Sequence, residues 1–233
     1  MRGTTVSRLE QRLIPLLFVV VFFVGLALVA CTGGTLAEDP AGERYLALGD
    51  SFTIGTGATP AQSFPAVLVD RWKTTGRTVR LTDPAVNGYT TDDLIARELP
   101  LATTVKPTLV TVLIGSNDIV RGRSAEQYRA QLQRIYAVLA SAGVPARVLV
   151  ALPQPDWSIS PAAAPFGRPA DLRATIETFN QIAKEEVERA GGRYVDLFPL
   201  MRRQADAKML AADGLHPSAA AYAEWAAALE TLL

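Results

Sequence analysis

The chemistry open to this chain is narrowed first by one residue, since its 233 positions include a single histidine, His216. Any step near neutral pH that needs an imidazole must use it. His216 lies in Asp213-Gly214-Leu215-His216-Pro217. A carboxylate three residues ahead can fold back within a turn, accept the Nδ1–H and leave Nε2 as a base. The plain alternative is a surface histidine beside a helix start. Gly49-Asp50-Ser51-Phe52-Thr53-Ile54-Gly55-Thr56-Gly57 offers a hydroxyl in a glycine-flanked turn. There the backbone can hold Ser51 exposed, although a serine in a turn is commonly a cap. Asn87-Gly88 reads as a tight turn needing positive φ. Gly115-Ser116-Asn117-Asp118 reads as a turn leading into a helix cap.

These segments need elements to carry them. Short apolar runs predict strands at Tyr45–Leu48, Val79–Leu81, Leu109–Ile114, Val148–Leu152 and Tyr194–Leu197. The third and fourth are almost wholly apolar, as befits strands buried on both faces of a parallel sheet. Ser124 followed by Gln127 has capping-box spacing, and Tyr128, Leu132, Ile135 and Leu139 then recur on one helical face. Leu172, Ile176, Phe179, Ala183 and Val187 form another such face, stopped by Gly191-Gly192. After Ser218, Tyr222, Ala226 and Leu229 mark a last helix. Alternating strands and helices predict a three-layer α/β/α sandwich. In open sheets of this kind ligands bind beyond the carboxyl ends of the strands, where the polar segments above fall.

Taken in order, the four segments resemble the conserved blocks of the GDSL/SGNH hydrolases: Gly-Asp-Ser, a Gly after the second strand, Gly-x-Asn-Asp after the third, and Asp-x-x-His near the C-terminus. The resemblance spans Tyr45 to Leu233 and is nearest to the single-domain bacterial esterase/lysophospholipase branch. Phe52 stands where many members have Leu. The resemblance implies a flavodoxin-like five-stranded parallel sheet and a serine esterase that works through an acyl-enzyme without metal or cofactor. It implies Ser51 as nucleophile, His216 as general base then acid, and Asp213 as the carboxylate that orients it. The oxyanion donors would be the Ser51 and Gly88 N–H groups and the Asn117 side chain. Gly88 has no side chain to keep its amide from the substrate, and Asn117 donates without carrying charge. Asp50 and Asp118 read as structural.

Around this domain, taken as residues 44–233, the N-terminus differs in kind. Arg2, Arg8 and Arg12 precede an uncharged run from Leu13 to Ala30. Basic residues before an apolar stretch form an export signal, here over residues 1–30. Leu28-Val29-Ala30-Cys31 resembles the bacterial lipobox, which implies lipidation of Cys31; a signal anchor is the alternative. Either reading leaves the body outside the cytoplasm, tethered to the cell membrane or secreted, because the arginines stay on the inner side. Residues 31–43 read as a flexible tether. Equal numbers of acidic and basic residues give no electrostatic case for nucleic acid. The substrate is expected to be a small ester, a lipid or an acylated glycan, and the protein a monomer. In the Pro153–Pro169 loop, Trp157 and Phe166 either line the cleft or pack the loop onto the body. The competing function is a lipid-tethered, non-catalytic ligand- or glycan-binding protein.

Overall fold

A computed structural model describes residues 42–233. The N-terminal run, Cys31 and the tether up to residue 41 lie outside these described residues. In chain order the elements are β1 (Glu43–Gly49), α1 (Ser51–Ile54), α2 (Phe64–Thr74), β2 (Val79–Thr82), α3 (Thr91–Asp93), α4 (Ala102–Val105), β3 (Leu109–Leu113), α5 (Ser116–Val120), α6 (Ala125–Ser141), β4 (Leu149–Ala151), α7 (Pro169–Arg189), β5 (Arg193–Tyr194), α8 (Phe198–Asp206) and α9 (Ala219–Leu232). The described strands form a five-stranded sheet in the order β2-β1-β3-β4-β5, parallel at every pairing. This is the flavodoxin-like order. The chain turns back across β1 to reach β3, so the switch point lies between those two strands.

Alternation along each strand builds two cores. Tyr45, Ala47, Leu109, Leu113 and Val150 face one layer, where Phe64, Leu68 and Trp72 of α2 meet Tyr222, Trp225 and Leu229 of α9. Leu46, Leu48, Val110, Val112, Leu149 and Ala151 face the other, against Tyr128, Leu132 and Ile135 of α6 and Phe179 and Val187 of α7. Helices on both faces leave the central strands nearly without water contact, which explains their continuous apolar runs. In the second layer Tyr128 stacks on Phe179 with ring centroids 4.2 Å apart. The Tyr128 hydroxyl donates to the Ile114 carbonyl at 2.8 Å, just beyond the end of β3.

The expected elements fall where the patterns placed them, with shifted edges. Ser124 caps α6 through a reciprocal capping box with Gln127. The fifth strand is shorter than Tyr194–Leu197. Its pairing with β4 covers only Val150↔Arg193 and Ala151↔Tyr194, and the Leu197 amide then bonds back to the Val195 carbonyl, bending the chain away. Val195 and Leu197 are buried all the same, which is why they read as strand. The sequence patterns did not mark α2 and α8, both of which carry Pro in the first turn, a position where its missing N–H costs nothing.

The α2–α9 layer supplies a direct stability test. Trp225 is 1% exposed, lies 5.1 Å from the Tyr222 ring centroid and donates its indole N–H to Gln204 at 2.6 Å. Trp225→Ala opens a cavity and strands that amide oxygen, so urea unfolding is expected to give a loss of about 3–5 kcal/mol.

Candidate active site

The turn after β1 is built by its neighbours on both sides. Asp50 caps α1 by accepting the Phe52 N–H at 3.0 Å, and Gly55 closes the helix in a left-handed conformation. Ser51 is therefore the first residue of a short helix, and its amide lies outside the helix's own bonding pattern. Gly49 has no alternative at its position. A Cβ there would stand 2.2 Å from Thr53 Oγ1 and 2.4 Å from the Leu113 carbonyl oxygen.

The segment after β2 is tied to the one after β3. Asn117 Nδ2 donates to the Tyr89 carbonyl at 2.9 Å and makes a longer contact of 3.4 Å with Asp50 Oδ2. One amide hydrogen thus locks the side chain, and the other points along a weak bond toward the nucleophile turn. Asp118 accepts from both the N–H and the hydroxyl of Thr91, at 3.0 and 2.6 Å, and pairs with Arg123 Nε at 2.6 Å. Its two oxygens are spent on stitching the loops, a structural task. Gly88 has φ 86°, and a Cβ there would meet nothing within 4 Å. Backbone conformation, not crowding, calls for glycine at this point.

The Asp-x-x-His segment folds as its spacing suggests. His216 Nδ1 lies 2.7 Å from Asp213 Oδ2, while Asp213 Oδ1 accepts the Leu215 and His216 N–H groups at 2.9 and 3.0 Å. The imidazole is 7% exposed, and its ring centroid is 5.3 Å from that of Phe52, the residue after Ser51. These distant segments pack closely. A Cβ on Gly57 would come within 3.1 Å of His216 Cβ, and Tyr222 donates its hydroxyl to the Thr56 carbonyl at 3.0 Å. The sequence's departure at Phe52 thus has a physical role, since its ring is the surface on which the imidazole rests.

Trp157 is 4% exposed and belongs to the core, edge-on to Phe166 at 6.2 Å. Of the pair, Phe166 presents the larger surface to solvent, at 46% exposure. Trp157, Phe52, Leu215 and Pro217 share a cavity of about 20 Å³, room for one water and not for an acyl chain. Arg121, at the rim, donates to the Gly88 carbonyl at 3.4 Å.

Beneath the site lie buried acids. Burial pushes Asp50 up to about 7 against the pull of the Phe52 N–H, with Asp118 adding to the rise. Burial likewise raises Asp83 to about 6. Glu98, fully buried, was not picked out from the sequence. The available signal was an acid four residues after Leu94 on a face that Leu94 and Leu99 bury. Among the described residues no group of three or more His, Cys, Asp or Glu is arranged to hold a metal ion.

The fold and these motifs place the protein among α/β/α hydrolases of the SGNH type. Residues 47–224 match the GDSL-like Lipase/Acylhydrolase family, and the chain belongs to that family. It is 24% identical over 188 residues to Esterase TesA of Pseudomonas aeruginosa, spanning 80% of this chain and 85% of that protein. It is 29% identical over 204 residues to the GDSL-like esterase Rv1075c of Mycobacterium tuberculosis, spanning 80% of this chain and 60% of that one. A crystal structure of TesA superposes with a TM-score of 0.64 at 26% identity, covering 82% of this chain and all of the other. Family membership supports an ester hydrolase.

The Asp213 contacts carry a pH signature. Burial works to raise its carboxyl, but the Leu215 N–H and the His216 ring and N–H together bring it below the usual carboxylate range. A carboxyl lowered in the folded state stabilises the fold above its unfolded value of about 4, and that contribution is lost as pH falls through the folded value. Thermal melts should therefore show wild type more stable than Asp213→Asn at pH 7, with the gap closing below about pH 4. A gap of constant size would mean that these hydrogen bonds to Asp213 are absent in solution.

Proposed function

We propose that the protein is a serine esterase in which Ser51, His216 and Asp213 form the catalytic triad. The observation that carries this reading is the position of the sole imidazole, held by Asp213 at 2.7 Å and resting on the ring that follows Ser51. Asp213 fixes the tautomer, so Nε2 is the base. It takes the Ser51 hydroxyl proton as the oxygen attacks the ester carbonyl. The carbonyl π electrons move to oxygen, and this oxyanion is met by the Ser51 and Gly88 N–H groups and by the Asn117 amide hydrogen that otherwise makes the long contact to Asp50. Such fixed donors are worth roughly 3–4 kcal/mol each because they need not reorganise when the charge forms. The tetrahedral species collapses with the C–O bond to the alcohol breaking, and His216 returns the proton to the leaving oxygen. Water, deprotonated by His216, then attacks the acyl carbon, the bond to Ser51 Oγ breaks, and His216 returns the proton to that oxygen as the acid leaves.

Its substrate is the ester of a small acyl group on a glycan or of a lipid-like acyl chain, and rates on acetyl, butyryl and octanoyl esters distinguish the two. The exposure of Phe166 and the bond from Arg121 to the Gly88 carbonyl support these two side chains as its contacts. The lipobox-like Leu28–Cys31 supports an export signal with Cys31 as the lipidated residue, which would tether the esterase outside the cytoplasm.

Ser51→Ala and His216→Ala are each expected to lower kcat on p-nitrophenyl butyrate by at least about 10⁴-fold while the variants remain folded. A fluorophosphonate probe should label wild type and not Ser51→Ala. Folded wild type that neither takes the probe nor turns over an ester would instead favour the binding protein. In a bacterial host, Cys31→Ser is expected to move the protein from the membrane fraction to the soluble one. Retention in the membrane would favour an uncleaved anchor.

A further inference from the structure

The triad and oxyanion donors leave one buried group at the site without a role. Glu98 ends the π turn Leu94–Glu98 that follows α3, and its side chain reaches under the end of β1. Its Oε2 accepts the Gly49 N–H at 2.9 Å, two residues before Ser51. The pairing of β1 with β2 ends at Leu46↔Thr82, so the Gly49 amide bonds to a side chain where a ladder carbonyl is no longer available. Glu98 Oε1 is also buried and has no hydrogen-bond partner. With one donor for the whole group, burying a carboxylate here costs far more than burying the neutral acid, which carries no net charge.

We propose that Glu98, in its neutral form, is a positioning residue for the nucleophile, holding Gly49 and with it the Asp50-Ser51 turn against the sheet. The proposal rests on the esterase reading of Ser51. No side chain fits at Gly49, where a Cβ would meet Thr53 Oγ1 and the Leu113 carbonyl, so the backbone runs close to both. Ionisation of Glu98 would place a second negative charge close to Asp50 with only the Gly49 N–H to meet it, pushing on the turn that carries Ser51. The charged groups facing Glu98 are Asp50 after β1, Asp83 after β2 and Asp93 of α3, all acidic. Burial chiefly, opposed by the Gly49 N–H and reinforced by these three carboxylates, raises Glu98 from its ordinary 4.5 to about 8. The neutral acid is thus the form present at neutral pH.

Glu98→Gln keeps an acceptor for the Gly49 N–H and cannot ionise; Glu98→Ala removes the acceptor. On p-nitrophenyl butyrate, Glu98→Ala is expected to lower kcat by about 10–100-fold with KM little changed, since a misplaced nucleophile affects chemistry more than binding. Glu98→Gln should restore most of that loss at pH 6–7 and hold its activity above pH 8, where wild type declines. A second readout does not depend on turnover. Between about pH 4.5 and 8 the folded wild type keeps a proton that the unfolded chain has released, so wild-type stability falls as pH rises through that window. Glu98→Gln lacks this slope, and the difference in melting temperature between the two proteins should change steadily across it. The proposal is overturned if Glu98→Gln is as slow as Glu98→Ala, or if its pH–activity and pH–stability curves run parallel to those of wild type. If Glu98→Ala does not fold, the comparison of Glu98→Gln with wild type decides alone. Wild type that hydrolyses no ester would defeat the esterase reading, while the pH–stability comparison would still pass or fail on its own.

Discussion

A parallel sheet covered by helices on both faces constrains everything else in this protein. Side chains of β1 and β3 have nowhere to go except into one of two apolar layers, and their backbone groups are consumed by neighbouring strands. Apart from Thr111, whose hydroxyl bonds to that of Tyr45, the buried polar side chains of the β1 and β3 segments gather where these strands stop pairing. At the carboxyl edge of β1, β2 and β3 the chain therefore changes character within one residue, from Leu48 to Gly49-Asp50-Ser51 and from Ile114 to Gly115-Ser116-Asn117. Because β1 and β3 are adjacent, two segments more than sixty positions apart share one rim. Asn117 can then touch both Asp50 and the Tyr89 carbonyl.

Placing polar groups at that rim, yet under cover, makes water scarce around several carboxyls, and each meets the scarcity differently. Asp118 is surrounded by Thr91 and Arg123 and acts as a staple between loops. Asp50 has the Phe52 N–H and a long contact to Asn117. Glu98 has one N–H and an oxygen left over. Asp213, the proposed orienting carboxylate, is the most open of the four and accepts three hydrogen bonds, so it alone is held low. Local supply of donors thus sorts chemically identical groups into a charged one facing the imidazole and more readily protonated ones behind the nucleophile.

Much of this could be read along the chain because its causes are local. The capping box at Ser124 and Gln127 joins residues three apart, and the faces of α6 and α7 follow from helical period. The Asp213–His216 pair closes within one turn. Where the cause was not local the reading blurred. Val195 and Leu197 are buried in the core just beyond the last paired residues of β5, so their apolar spacing suggested more strand than forms. α2 and α8 open on Phe-Pro, and Pro inside a short apolar stretch reads as a break although the first turn tolerates it. Trp157 and Phe166 looked equivalent within one loop, but one lies in the core and the other in solvent.

The residue types at the proposed site, their order, the turn chemistry that presents them and the alternation that makes a buried parallel sheet were all determined by the sequence itself. Each depends on neighbours within a few positions, where backbone geometry leaves few choices. The closed chain decided the rest: that the imidazole rests on the Phe52 ring, and that Glu98 finds the Gly49 amide 49 positions away. Contacts of that range have no period along the chain. They exist only once the helices have packed and burial has removed water as the competing partner for each polar group.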